Sequence, residues 1–589
     1  MAHRYNLYVR AHWLSIPLIC GMLFSCGSSR PPVTLHDLAR DYVYTFLSLH
    51  PSIATAAGYH THPGLTLDDK LETFSQSEQD RLRDFLGDYR QRFRQLDAEA
   101  LDPQERADYE MIQGHMRLVQ IELDTLQPHR RNPTMYVELA GSAIHSLYTL
   151  NFAPLEERFD AIIARLGKIP ALVEQAKRNL ATSPEIWIQV ALDENEGNRV
   201  MLMQELREAC PPSRRVAYDT AAGIAVTSLQ QLNAYLEQEL SKHPDDWRLG
   251  REKFDAKFAA ALGINSTPAE VLAEAESQLQ AVRKRMFEIA LPMHQKSRPG
   301  SKAELNTVVR ETLNEIAKRH GTRESYMSDA QRDLEEAREF VRRKNIVPLP
   351  ENDNLKIIPT PEFMRGIYSV GGFNPAPPLE PQLGAFYWLT PIPEDWPPAR
   401  VESKLREYNY YGVKLLTIHE AIPGHYLQFE YANAIPSKTR RLLRSLFGNN
   451  PYIEGWAVYA TETMLDEGFL DNDPQLRLTF LKQQLRMISN AILDIRLHTM
   501  NMTDEQAMDL MINQTFQEKE EATGKLRRAK LSSTQLCTYF TGWLEWRRLR
   551  ESVQKTRGGS FNLAGFHREA LEAGAVPMPQ LQRLLSAAK

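Results

Sequence analysis

The sequence predicts a mainly α protein, one large helical unit of two lobes with a few short strands. Three observations carry that reading. Apolar residues recur at spacings of three and four over long stretches, helix-capping chemistry is present, and strand patterns are scarce. The clearest helix opens at Thr267-Pro268-Ala269-Glu270, with an N-cap, a proline at the first helical position and a capping-box glutamate. Leu272, Ala275, Leu279, Val282 and Met286 then form one apolar stripe, as core packing requires. The same period predicts helices over 76–96, 155–180, 228–240, 303–320, 329–343, 476–498 and 504–521. Strand candidates are Leu355–Pro359 and Ala385–Leu389. Both lie in a stretch, 346–398, rich in Pro, Gly and Asn, which reads as loops with short strands beside a cleft. No repeat and no linker interrupts residues 36–589, and a lobe boundary is expected near residue 260.

A formal charge of −5 over 589 residues lacks the basic excess of a nucleic-acid binder, so no nucleic-acid partner is expected. The first 25 residues stand apart. His3, Arg4 and Arg10 precede an apolar run from Trp13 to Phe24, too short for a bilayer span of about 20 residues but right for a signal peptide. Leu23-Phe24-Ser25-Cys26, followed by Gly27-Ser28-Ser29, resembles a lipobox. Residues 1–25 are then a lipoprotein signal, Cys26 the lipidated terminus and 26–35 a polar linker. The expected partner is a membrane, reached through the lipid anchor. Gly27 in place of Asp directs the chain to the outer membrane of the bacterial cell envelope, on the periplasmic side. Only Cys210 and Cys537 remain, which excludes a disulfide framework and leaves a single bridge or two buried thiols.

The chemistry concentrates in Leu415-Leu416-Thr417-Ile418-His419-Glu420-Ala421-Ile422-Pro423-Gly424-His425. In the common zinc motif H-E-x-x-H, one helical turn separates two histidines that share an ion, and the glutamate acts on the bound water. Here the second histidine comes six residues after the first. On a regular helix that is roughly 600°, with a rise of about 9 Å, so both rings could not reach one ion. Pro423 interrupts the hydrogen-bond ladder and Gly424 is free of side-chain restriction, so this pair is expected to loop out the extra residues and return His425 to His419. A third ligand is expected from Glu454-Gly455-Trp456-Ala457-Val458-Tyr459-Ala460-Thr461-Glu462. Glu454 is preferred and Glu462 is the rival, with small Gly455 and Ala457 letting that helix approach the motif. Two histidines, one glutamate and an open position form a catalytic pattern.

These segments, with His-Glu-Ala-Ile-Pro-Gly-His-Tyr-Leu-Gln foremost, resemble the signature of the bacterial "domain of unknown function 885" family, which is grouped with zincin-like metallopeptidases. Pro51 to Tyr59, and Gln535, Tyr539 and Gly542, are similar to its opening and closing elements. The resemblance implies a large, two-lobed helical zincin-like fold and Zn2+ as cofactor. It implies His419, His425 and Glu454 as metal ligands and Glu420 as general base. Asp494 and His498 match a late Asp-x-Gly-x-His element, although Arg496 takes the glycine position; Met502 and Ala529 stand where aromatics are expected. His498 and Tyr539 are the candidate oxyanion donors. The expected activity is zinc-dependent hydrolysis of short peptides outside the cytoplasm. The alternatives are an amidohydrolase for acyl-amino acids or cell-wall fragments, and a non-catalytic binding lipoprotein. Of the other histidines, His60 and His62 read as solvated turn residues, His115 and His145 as packed ones, and His243 as exposed.

Overall fold

The computed structural model describes residues 34–351, 353–365, 368 and 370–587. Cys26 and the signal segment 1–25 lie outside them, as does all but the end of the 26–35 linker. Helices dominate, and their apolar faces gather into distinct cores. Tyr42, Phe85, Tyr89 and Phe93 pack with Leu442 and Leu443 in one. Phe159, Tyr218 and Leu229 belong to a second, which ends in sequence near Leu240 apart from Phe363. The largest takes in Trp247 and Phe254, runs on to Leu585, and contains the motif helix Tyr410–Glu420. Among the described residues no helix is long and apolar enough to cross a membrane.

The capping box at Thr267 and Glu270 forms and starts a helix over Pro268–Ser297. Two helices are shorter than the apolar period suggests. The 155–180 stretch splits into Leu155–Leu166 and Ile169–Asn179, because Pro170 restarts the chain just after Gly167. The 504–521 stretch stops after a π-helical turn at Leu510–Gln514 and resumes at Lys519–Leu531. Between them Phe516 adopts φ +58, and the Gln517 amide donates to Thr515 Oγ1 at 2.8 Å and Ser489 Oγ at 3.3 Å. Buried polar pairing there replaces a helical turn.

Both strand candidates form with the expected bounds, paired in parallel with Ile357 opposite Tyr387. A third strand, Gly371–Asn374, joins Ala385–Leu389 antiparallel on its other side. Its Gly-Gly start hid it, since glycine has little strand preference. The sheet lies beside the motif, with Tyr387 Oη 3.4 Å from Thr417 Oγ1 on the motif helix. Cys210 and Cys537 are both free and buried, in different cores, so the single-bridge alternative does not hold.

The helices Asn450–Asp466 and Cys537–Arg557 touch backbone to backbone. A Cβ on Gly455 would stand 2.3 Å from the Gly542 carbonyl carbon, and one on Gly542 would stand 2.0 Å from the Pro451 oxygen. Gly455 therefore serves this crossing rather than approach to the motif helix. Trp546 seals it by donating from Nε1 to the Tyr452 carbonyl at 2.9 Å. Gly542→Ala should destabilise the fold by at least about 1–3 kcal/mol, the cost of overpacking a closed contact. Gly87→Ala, on an exposed helix face with nothing within 4 Å, should be neutral or stabilising. Thermal unfolding of the two variants side by side checks this.

Candidate metal centre

The motif helix ends at Glu420, and Ala421 leaves helical geometry at φ −114, ψ −95. The Ile422–Pro423 peptide is cis, and a new helix begins at His425. The Gly424 N–H donates to the Ile418 carbonyl at 3.0 Å, folding the loop back on the turn it left. Gly424 is needed for want of a side chain rather than for an unusual φ, which is −73. A Cβ there would sit 1.9 Å from the His419 carbonyl oxygen. Trp456 holds the loop from the opposite helix, donating from Nε1 to the Pro423 carbonyl at 2.8 Å and the Gly424 carbonyl at 3.2 Å.

This return brings the two imidazoles together, with ring centroids 4.8 Å apart and planes at 83°. Glu454, one turn into the Asn450–Asp466 helix, completes the group. Its Oε2 is 3.3 Å from His425 Nε2 and 3.8 Å from His419 Nε2, and the three ligand atoms lie within 4.8 Å of one another. A tetrahedral ion with bonds of about 2.0–2.2 Å spaces its ligand atoms about 3.3–3.6 Å apart, so these residues fit a metal. Glu454 Oε2 is buried without a well-formed hydrogen bond, as an atom reserved for an ion would be. Glu462, the rival, instead accepts from Trp543 Nε1 at 2.7 Å.

Burial, and then the charge of His425, depresses the His419 pKa to about 3. Burial likewise works against a charged His425, but the close Glu454 carboxylate holds its pKa above the ordinary value. Glu454 is held low by His425 and His419 against the upward effect of burial. Burial raises the Glu420 carboxyl to about 7.

The group lies where two cavities meet, one of about 770 Å³ and one of about 380 Å³. Tyr368, Gly371, His419, Glu420, Arg528 and Tyr539 line both. The structure therefore brings Glu420 and Tyr539 to the cleft beside the three candidate ligands. The Tyr539 oxygen accepts from Arg528 Nη2 at 3.2 Å and Gln535 Nε2 at 3.3 Å, and burial pushes its hydroxyl up to about 12.

The family described as "Bacterial protein of unknown function (DUF885)" matches residues 51–585. The chain belongs to this family. Among solved structures, this DUF885 chain is similar to a protein of unknown function from Shewanella oneidensis, assigned as a lipoprotein, at 28% identity and TM-score 0.78. That match covers 94% of this chain and 100% of the other. A Colwellia psychrerythraea protein, also assigned as a lipoprotein, is 19% identical with TM-score 0.76, covering 94% and 98%, and shares the fold. Metallocarboxypeptidase 1 of Trypanosoma cruzi is 10% identical with TM-score 0.41, covering 94% and 96%, a likeness too slight to bear on function. No curated protein matches.

His498 is placed elsewhere, so its expected part as an oxyanion donor does not hold. Its Nε2 donates to the Ser532 carbonyl at 3.0 Å, its Nδ1 accepts from the Leu249 N–H at 3.4 Å, and its ring stacks on Phe254. Both nitrogens are thus used in one neutral tautomer, and burial keeps it neutral. Asp494 accepts from the N–H groups of Thr534 at 3.0 Å and Cys537 at 3.2 Å, fixing the start of the Cys537–Arg557 helix. The pair is a brace that positions Gln535 and Tyr539. Arg496, in the expected glycine position, reaches away to Glu276 at 2.5 Å. His60 is also not a solvated turn residue: it sits between Asp68 at 2.9 Å and Glu380 at 3.1 Å. Arg528 and Tyr368 escaped the sequence reading, since neither spacing nor local pattern marks them.

Elemental analysis should find about one equivalent of divalent metal per chain, lost in His419→Ala, His425→Ala and Glu454→Ala. Asp494→Ala should keep the metal but lower stability by about 1–2 kcal/mol, the scale of a lost helix cap, read as a fall in melting temperature.

Proposed function

We propose that this chain is a zinc-dependent peptidase that hydrolyses amide bonds of short peptides. The observation that carries this reading is the His419, His425 and Glu454 cluster at the meeting point of two cavities, with Glu420 beside it. Two histidines and a carboxylate leave a position open, the pattern of a catalytic rather than a structural site. Zinc bound there would acidify a water toward neutrality and polarise the carbonyl under attack. The Glu420 carboxylate takes the proton from the attacking water and passes it to the leaving nitrogen. Arg528 and Gln535 both donate to the Tyr539 oxygen, so its own O–H proton is left to donate to the developing oxyanion. The strand Gly371–Asn374 is an edge of its sheet and lines the larger cavity, with Phe373 beside His425, which suits an extended peptide chain.

The chain is further read as a lipoprotein of the bacterial cell envelope, anchored through Cys26. The motif around that cysteine supports this, as do the lipoprotein assignments of the two similar structures.

Glu420→Gln should retain the metal and lose about 10²–10⁴-fold in kcat on any cleaved peptide. Tyr539→Phe should lose about 10²-fold with little change in KM. Metal-dependent cleavage of a peptide library, compared between wild type and these variants, tests the reading; equal wild-type and Glu420→Gln rates would sink it. Cys26→Ser should move the protein from the membrane to the soluble fraction.

A further inference from the structure

The smaller cavity is rich in charge, and most of that charge is matched. Arg400 pairs with Glu520 at 2.5 Å, Arg486 pairs with Glu521, and Glu407 pairs with Lys482 at 2.7 Å. Arg527 reaches out to Asp193, and Lys404 lies over the Tyr408 ring. Two cations on one helix, Lys525 and Arg528, have no such match. Lys525 is only 6% exposed, yet among the described residues it meets no hydrogen-bond or ion-pair partner. Among the described residues the Arg528 side chain bonds only neutral groups, the Gln535 side-chain oxygen and the Tyr539 hydroxyl. Burial without such a partner pulls the Lys525 pKa well below its ordinary value, and an anionic ligand would supply the charge that restores the ammonium.

The two residues are three apart on the helix Lys519–Leu531, so their side chains share a face, with Cβ atoms about 5–6 Å apart. Lys525 lines the smaller cavity alone, whereas Arg528 lines both and touches Tyr539. An anion gripped by the pair therefore lies close to an amide placed over the metal centre.

We propose that Lys525 and Arg528 form a carboxylate-binding subsite, so that substrates carry a free carboxylate near the scissile bond. Resting on the hydrolase reading, this names the substrate class: peptides or acyl-amino acids ending in an acid, or carrying an acidic side chain in that place. The flat guanidinium of Arg528 and the ammonium of Lys525 together meet a carboxylate with full opposite charge, which a neutral amide oxygen does not carry.

Calorimetric titration of metal-loaded Glu420→Gln protein, in which the base is gone, separates binding from turnover. The probes are N-acetyl-leucine, N-acetyl-leucinamide and N-acetylglutamic acid 1-amide. N-acetyl-leucine should bind about tenfold or more tightly than its amide, the scale of one charge-assisted hydrogen bond. Adding Lys525→Met should erase that difference without changing metal content or lowering the melting temperature, and Lys525→Arg should restore most of it. Strong binding of the glutamate probe assigns the site to a side-chain carboxylate, and weak binding to a terminal one. Equal affinity for acid and amide, no binding of either, or acid affinity unmoved by Lys525→Met would overturn the subsite. The hydrolase reading fails separately, if no amide is cleaved in a metal-dependent way.

Discussion

Everything in this centre depends on a close backbone approach, the α-carbon of Gly424 lying against the carbonyl of His419. Six residues along a straight helix would carry the second imidazole to the far side of the axis. The chain folds back over four residues instead, and no side chain fits between the two backbones. Trp456, on the Asn450–Asp466 helix, then closes the loop by donating to the carbonyls of Pro423 and Gly424. Since Trp456 is two residues beyond Glu454, one packing event fixes both the turn and the arrival of the carboxylate.

Much of this was legible in the sequence. Helical periodicity marked long helices such as Gln76–Phe93, Pro268–Ser297, Tyr326–Lys344 and Pro474–Thr499, and the strands Leu355–Pro359 and Ala385–Leu389 showed themselves by composition. The residue types around His419 announced a metal site even though their spacing contradicted a regular helix, and Pro423-Gly424 pointed to the remedy. What stayed hidden depends on packing between distant segments. The strand Gly371–Asn374 exists because Ala385–Leu389 offers it an edge. The break at Phe516 follows from Gln517 finding Ser489 on another helix. His498 looked like a donor because a histidine near an aspartate reads as chemistry. Only Ser532 and Leu249, one far along the chain and one far back, show that both its nitrogens are already committed.

Lys525 and Arg528 illustrate the same limit from the other side. In sequence they belong to a basic run that resembles any solvated helix face. Their burial comes from the packing of elements around residues 404–408 and 480–490, which no local window contains. The result is a cleft with charge of both signs, carboxylates at Glu420 and Glu454 and basic groups at Lys525 and Arg528. Such an arrangement orients a polar chain before any bond is strained, because reversing it would set like charges together.

The glycine contact between the helices Asn450–Asp466 and Cys537–Arg557 has a mechanical consequence. Gly455 follows Glu454 directly, and Gly542 is three residues beyond Tyr539. The group that would grip the ion and the hydroxyl that would face the oxyanion are thus bolted to a single rigid beam, with no slack for one to drift from the other. Any breathing of the cleft that admits a chain falls instead to other parts of its lining, the sheet edge at Gly371–Asn374 among them.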